Sequence, residues 1–338
     1  MKRDDIMKSF GITSSVKSAR RTRWLATAAI LASVLATGFA SAQDKFPSKT
    51  IEVVTHAGAG GGTDITTRMM LLRARRAMKT DLVVVSKRGG GGAVAMNYIN
   101  SRKRDGYTIM TITPTHLLTI ARGKSPLKLD DLVGLARATD DPQILMVKAS
   151  GGFKSIKDLI AAGKKRAIKV GGTQVGTIDQ ITTFTFSKLA GIKNPNYIPY
   201  KGGGGIVTAL IGGDIEVGVL NLSEAESQIK SGEIRALVVM AKKRMKPLPD
   251  VPTTVEIGID AVFSTLRGFV TLKGVPEDRL KILEAGILKS MRHKVYLGYL
   301  ETAGLGPDSI AGSKEWNAQI QQLYKDGVVA LKELGMLK

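Results

Sequence analysis

Short apolar runs alternate along the chain with longer segments in which apolar residues recur every three or four positions. The short runs predict buried strands and the longer segments predict amphipathic helices. Near the start, strands are predicted at Ile51–Val54, Leu82–Val85 and Tyr107–Thr113, with helices at Asp64–Lys79 and about Ala93–Ser101 between them. This β-α-β-α-β order predicts a doubly wound α/β sheet, in which ligands bind beyond the carboxyl ends of the strands.

The middle of the chain repeats this alternation and predicts a second α/β unit. Ser155 and Asp158 have the spacing of a capping box at a helix start, and Gly191 is placed to end the next helix. Pro276 suits the first position of a later helix that runs to about Arg292. The remaining predicted strands are Ile144–Val147, Ala167–Val170, Tyr197–Tyr200, Ile215–Leu220, Ile234–Met240 and Phe269–Leu272.

Two stretches show neither pattern. The region that holds Asp130–Asp131 and Asp140–Asp141 is interpreted as a connection whose acidic pairs lie in solvated loops. Lys242–Thr254 is rich in proline and basic residues and is interpreted as a surface connection.

Residues 1–42 have the features of a cleavable secretory signal peptide. Basic residues precede an apolar run from Trp24 to about Phe39, and Ala40–Ser41–Ala42 fits a small-x-small cleavage site. The apolar run is shorter than the roughly 20 residues of a membrane-spanning helix. We therefore expect export to the periplasm, and a retained N-terminal anchor is the alternative.

The 338 residues include 50 Lys and Arg against 29 Asp and Glu, a net charge of +21. The predicted signal peptide holds seven basic and two acidic residues, which account for +5 and leave +16 for the mature chain. This surplus favours anionic partners. The basic residues are dispersed rather than gathered in an aromatic-rich stripe, which favours small anionic solutes over nucleic acid. The absence of cysteine excludes disulfides and thiol chemistry.

Glycine-rich loops follow several of the predicted strands, among them Gly89–Gly92 after the second strand, and three of the others offer groups that suit an anion. The first, Gly58–Asp64, leads into a helix whose free N-terminal N–H groups suit an anion. The second, Thr173–Thr177, adds hydroxyl and amide groups, and the third, Lys201–Gly205, adds an ammonium group. These donors together suit a carboxylate, although any one loop could be no more than a tight turn.

The motifs of common enzyme classes are missing from the sequence. A G-x-G-x-x-G pattern begun at Gly58 fails at Thr63, and there is neither a phosphate-binding P-loop nor a G-x-S-x-G. His56, His116 and His293 lack the spacing of metal ligands, and no general acid/base pair is evident. We expect no catalytic residue, no metal and no cofactor. His56 and His116 follow predicted strands and are expected to hydrogen-bond either the ligand or the fold.

Four segments carry more specific motifs: FPSKTIEVVTHAGAGGGTD, GGGGAVAMNYINSRKRDGYTIMTIT, IPYKGGGGIVTALIGGDIEVGVLNLSE and SGEIRALVVMAKKRMKPLPDVPTTVEIGID. With these segments the chain resembles the extracytoplasmic solute-binding receptors of tripartite tricarboxylate transporters, also called the Bug family. The resemblance covers nearly all of the mature chain. It implies a two-lobed α/β fold like that of type II periplasmic binding proteins, with each lobe a doubly wound sheet flanked by helices. Residues 44–142 and 264–338 would form the first lobe and 143–263 the second.

The resemblance also implies a function and a site. The protein would close around a carboxylate-bearing small molecule, such as a di- or tricarboxylate or an aromatic acid, and deliver it to the membrane components of a tripartite tricarboxylate transporter. It would be a monomer that binds no nucleic acid. Asp64 is expected to cap its helix and orient the loop rather than to touch the anion. The implied ligand-binding residues are Gly60, Gly61, Thr63, Asp64, Thr113, Thr115, Thr173, Gln174, Val175, Thr177, Lys201, Gly202 and Asn221.

The chain departs from the family pattern in two places. Ser86-Lys87-Arg88-Gly89 stands where the family commonly has E-N-R-P, and Leu266-Arg267 stands where a tryptophan commonly precedes Gly268. Arg267 is expected to add a positive charge at the cleft rim. The alternatives to a transport receptor are an exported enzyme or ligand sensor on the same fold, and a nucleic-acid or surface-adhesion protein that uses the +16 charge.

Overall fold

The computed structural model describes residues 45–337, so the predicted signal peptide lies outside the described residues. Two mixed sheets organise this part of the chain. The first sheet contains β1 (Ile51–Thr55), β2 (Leu82–Ser86), β3 (Thr108–Ile112), β4 (Leu132–Pro142), β10 (Ser264–Leu272) and β11 (Ala311–Gly312). The second contains β5 (Ile144–Lys148), β6 (Lys169–Thr173), β7 (Asn196–Tyr200), β8 (Val217–Leu220) and β9 (Ile234–Val239).

Helices connect the strands and cover both sheets. In chain order they are α1 (Gly62–Met78), α2 (Ala93–Asn100), α3 (Pro114–Ala121), α4 (Ile156–Lys165), α5 (Ile178–Ala190), α6 (Gly203–Gly212), α7 (Leu222–Lys230), α8 (Glu277–Met291), α9 (Lys294–Thr302) and α10 (Ser313–Glu333). Short 3₁₀ turns lie at Gly90–Gly92, Leu129–Asp131 and Pro307–Ser309.

The strand order puts several carboxyl ends on one edge of each sheet. The first sheet runs β11-β4-β10-β3-β1-β2, and β1 is parallel to both β2 and β3. The second runs β7-β6-β8-β5-β9, and β6 is parallel to both β7 and β8. The loops after these parallel strands are therefore the places where each sheet can present a ligand site.

Apolar side chains of the helices cover both faces of each sheet. In the first sheet, one face packs against α1, α8 and α9, and the other against α2, α3 and α10. In the second, one face packs against α6 and α7 and the other against α4 and α5. Burial on both faces explains why strands such as β5 and β8 are near-continuous apolar runs.

The chain passes from one sheet to the other through two adjacent segments. Gln143 joins β4 to β5, and the return path ends at Phe263, just before β10. The Gln143 N–H donates to Phe263 O at 2.9 Å, and the Met240 N–H donates to Gln143 O at 2.8 Å. These bonds tie the two crossing segments together, so the sheets are linked at one narrow place.

The structure confirms several local predictions and corrects others. The Ser155–Asp158 capping box is present, and Gly191 ends α5 with φ 66°. Pro276 is the residue before α8 and not its first residue. The interpretation of Asp140–Asp141 as a solvated loop is wrong, because both residues lie in the eleven-residue strand β4 and Asp141 is only 1% exposed. Helix α7 was not predicted at all.

Between residues 45 and 337, no helix is long and apolar enough to cross a membrane.

Candidate ligand-binding site

A polar cavity of about 100 Å³ lies where loops of the first sheet meet loops of the second. Its wall from the first sheet comes from the loops after β1, β2 and β3 and from β10. Its wall from the second sheet comes from the loops after β6, β7 and β8. For comparison, a cavity of roughly 150 Å³ can hold benzene, so this smaller space limits the ligand to a few heavy atoms unless the walls move.

The N-terminal ends of five helices converge on this cavity. They belong to α1, α3, α5, α6 and α7, because each of these helices directly follows a strand whose carboxyl end faces the cavity. Backbone N–H groups in the first turn of a helix have no partner inside the helix and carry the positive end of its dipole. The cavity is therefore preorganised for negative charge.

The loop before α1 brings its backbone closest to the cavity. Gly61 and Gly62 line it, and a Cβ at Gly62 would lie 2.5 Å from Arg267 Nη2, which leaves room for no side chain. Asp64 lies behind the loop. Its Oδ2 accepts hydrogen bonds from the Gly60 N–H at 3.1 Å and from Arg68 Nε at 2.9 Å. Asp64 thus holds the loop in shape from outside the cavity.

The structure brings most of the residues implied by the resemblance together in this cavity. The lining includes Gly61, Thr63, Thr113, Thr115, Thr173, Gln174, Thr177, Lys201, Gly202 and Asn221. Gly60, Asp64 and Val175 are not in the lining. Val175 is 57% exposed, although its neighbours Gln174 and Thr177 line the cavity.

Two hydrogen bonds join the loops of the first sheet directly to those of the second. The Gly91 N–H donates to Gln174 Oε1 at 2.8 Å, and the Ile178 N–H donates to Thr115 Oγ1 at 3.4 Å. The two sides of the cavity are therefore already in contact.

Arg267 lies in the wall of the cavity and not at its rim, which corrects the expectation from the sequence. The residue is 2% exposed. Nη1 donates to Asp141 Oδ2 at 2.6 Å and Nη2 donates to Asn221 Oδ1 at 2.9 Å. Nε has no hydrogen-bond partner within the described part of the chain. The Asn221 amide in turn donates to Asp141 O and Pro142 O, so this network reaches the crossing between the sheets.

Two acidic residues of the cavity wall, Asp179 and Glu224, were missed by the sequence analysis. Asp179 is fully engaged, because it accepts from Gln143 Nε2 at 2.6 Å and from the Thr173 N–H and Oγ1 at 2.8 and 2.6 Å. Glu224 Oε2 accepts from the Asn221 N–H at 3.0 Å, which closes a capping box. Burial raises the pKa of Glu224 to about 7. The Asn-x-x-Glu spacing after β8 is the signal that could have revealed both α7 and this acid.

The two histidines of the first sheet differ in their positions. His56 lines the cavity, whereas the His116 ring is buried behind it and its Nδ1 accepts from the Thr113 N–H at 3.1 Å. The ring centroids are 4.3 Å apart in an edge-to-face contact. Burial, with Arg267 nearby, lowers the pKa of His56 to about 4, and burial also lowers that of His116. Both rings are neutral near pH 7.

Two α/β sheets, a paired crossing and a polar cavity at the strand ends define the fold of a periplasmic solute-binding protein. Residues 66–335 match the family model described as the tripartite tricarboxylate transporter family receptor, TctC, and the chain belongs to this family.

Known proteins of similar sequence or structure agree with this assignment. The protein BugT of Bordetella pertussis is 26% identical over 291 residues, which are 84% of this chain and 87% of BugT. A TctC solute-binding protein from Polaromonas superposes with a TM-score of 0.68 at 26% identity, over 85% of this chain and 99% of that one. MatC from Rhodopseudomonas palustris, solved with bound malate, superposes with a TM-score of 0.78 at 21% identity, over 85% of this chain and all of that one.

Proposed function

We propose that the protein is a periplasmic receptor that captures a carboxylate-bearing small molecule and delivers it to the membrane components of a tripartite tricarboxylate-type transporter. The convergence of five helix N-termini on one small cavity carries this proposal, since such a site attracts an anion without any catalytic group. Residues 1–42 would direct export and be removed. The bound malate of MatC, a protein of the same fold, supports a carboxylate ligand.

Ligand capture in this proposal is a domain closure. The lobes 44–142 with 264–338 and 143–263 would rotate about the crossing at Gln143 and Phe263. A carboxylate that touches α1 from one lobe and α5 or α6 from the other favours the closed state, because it gains contacts there that the open state lacks. The bonds from Gly91 to Gln174 and from Ile178 to Thr115 would then belong to the closed state.

Native mass spectrometry of the gently purified mature protein, without refolding, tests the function directly. We expect a co-purified small acid, whose mass would give the ligand class. If the protein is bare, a thermal-shift panel of mono-, di- and tricarboxylates should raise its Tm, because a ligand that binds only the folded state stabilises that state. No shift by any carboxylate would contradict the proposal.

Lys201 offers a local test of the carboxylate site. Lys201→Ala should weaken binding of a carboxylate by roughly fivefold, since one charge-assisted hydrogen bond contributes about 1 kcal/mol at an exposed position. Lys157→Ala, on an exposed part of α4, is the matched control and should leave the affinity unchanged. Calorimetric titration measures both. Equal affinity in Lys201→Ala and wild type would remove Lys201 from the site.

A further inference from the structure

The charged side chains of the cavity wall differ in whether ion pairs and hydrogen bonds within the protein already engage them. Four charged side chains line the cavity: Asp179, Lys201, Glu224 and Arg267. The Arg267 charge is neutralised by its contact with Asp141. Asp179 already accepts three hydrogen bonds. Lys201 is exposed to solvent, which hydrates its ammonium group. Glu224 is thus the enclosed charged group with the fewest hydrogen-bond partners.

Glu224 is held in place with one carboxylate oxygen unused. Oε2 is engaged by the Asn221 N–H, whereas Oε1 has no hydrogen-bond partner among residues 45–337. A Cβ built at Gly203 would lie 2.5 Å from Oε1, so the first residue of α6 packs directly against this carboxylate and needs to be glycine. The packing fixes an acceptor oxygen in the cavity wall, which also contains the first residues of α1.

These observations indicate a narrower class of ligand than carboxylates in general. We infer that the ligand is a small zwitterion, whose carboxylate binds at the N-termini of α1 and α5 and whose ammonium group donates to Glu224 Oε1. This inference rests on the proposed function and narrows it to amino-acid-like molecules. A dicarboxylate would place its second carboxylate against Glu224, and the like charges repel.

The charges around Glu224 do not remove this preference. Arg267 on β10 acts on Glu224, but its charge is already paired with Asp141 on β4, and Asp179 on α5 adds a further negative charge. The Lys201 ammonium also lines the cavity, but its side chain is exposed to solvent, which screens its charge. At pH 8, above the pKa of about 7 that burial gives Glu224, its carboxylate is mostly ionised. A cationic ligand group is therefore favoured there, and an anionic one is disfavoured.

Pairs of ligands that differ in one charged group test the inference. Succinate and 4-aminobutyrate have chains of similar length, with a second carboxylate in the first and an ammonium group in the second. Alanine and lactate are of nearly equal size, with an ammonium group in the first and a hydroxyl group in the second. We expect calorimetric titration at pH 8 to show at least tenfold tighter binding of 4-aminobutyrate than of succinate, and of alanine than of lactate.

Glu224→Gln keeps the shape and an acceptor oxygen but removes the charge. We expect it to weaken binding of the ammonium-bearing ligands at least tenfold and to leave or improve binding of succinate. Glu226→Gln, on the same helix but paired with Lys230, is the control and should bind as the wild type does. Circular dichroism and the Tm of each variant establish that it is folded.

The outcomes separate this inference from the proposed function. Tighter binding of succinate than of 4-aminobutyrate, unaffected by Glu224→Gln, would overturn the zwitterion and leave the carboxylate receptor standing. Failure of every carboxylate in the panel to bind would overturn both.

Discussion

Arg267 connects the cavity to the crossing between the two sheets. Its guanidinium bonds Asp141 on β4 and Asn221 at the start of α7, and both partners lie beside the crossing between the sheets. Burying a charged pair is costly, and the pair survives because each charge meets the other at 2.6 Å. Removing one partner leaves the other charge buried alone.

We therefore expect replacement of one partner to cost more stability than replacement of both. Arg267→Met should lower the free energy of unfolding by about 3–5 kcal/mol, because Asp141 loses its counter-charge in a buried position. Adding Asp141→Leu should recover most of that loss, since two apolar side chains need no partner. Urea unfolding followed by circular dichroism measures both variants. A single variant as stable as the wild type would show that the pair does not hold this region.

Buried charges that distant residues neutralise are not recognisable from the local sequence. Asp140–Asp141 resembles a solvated pair because buried carboxylates are rare without partners. The partner of Asp141 is Arg267, 126 residues later, and no local pattern connects the two. Arg137, also buried in β4, finds its acceptors at Ser309 O and Asp308 O. Strand β4 was therefore missed because its polar side chains depend on distant parts of the fold.

Elements whose boundaries depend on nearby residues were predicted well. Strands β1 and β2 and helix α1 follow from apolar runs separated by glycine. Most of the site residues named from the three loops also line the cavity, because the loops lie at strand ends that the α/β order brings together. The acids Asp179 and Glu224 follow helix caps, and their contribution to the cavity becomes visible only when the helices are placed.

Gly191 allows a test of whether the end of helix α5 depends on the backbone conformation of that one residue. Its φ of 66° is left-handed, yet a Cβ there would meet nothing closer than Lys164 Cε at 3.6 Å. Gly191→Ala should therefore cost about 1 kcal/mol of stability through backbone strain alone. Gly152→Ala is the control, since Gly152 has open space and no positive φ, and it should change stability by less than about 0.5 kcal/mol. Equal effects of the two variants in thermal unfolding would contradict the strain argument.

For the whole molecule, the cavity contains titratable groups whose effects on stability oppose each other. The pKa of His56 is about 4 in the fold, below its usual 6.5, so acidification through this range protonates the unfolded chain first and destabilises the fold. The pKa of Glu224 is about 7, above its usual 4.5, so acidification from pH 7 protonates the folded state first and stabilises it. Between about pH 4.5 and 6.5 the two contributions offset each other.

Glu224→Gln should remove the contribution of this carboxylate to the pH dependence of stability and leave that of His56. We expect the variant to be more stable than the wild type at pH 7.5 and to lose about 2 kcal/mol more than the wild type on going to pH 4.5. The difference between the pKa of Glu224 in the fold and its usual pKa corresponds to about 3 kcal/mol of stability. We expect the smaller value of about 2 kcal/mol because Glu224 is partly exposed and solvent screens its charge. Urea unfolding at several pH values measures this. Parallel pH profiles for the two proteins would mean that Glu224 titrates as an ordinary surface acid.

The contact between Gly62 and Arg267 has a consequence for how the site can evolve. Asp141 and Asn221 hold the guanidinium in place, so a side chain larger than hydrogen at position 62 would have to push it out of its network. Position 62 can therefore accept a larger side chain only if Arg267 and its buried partner Asp141 change as well. Redesigning this receptor for another solute would begin by replacing these three residues together.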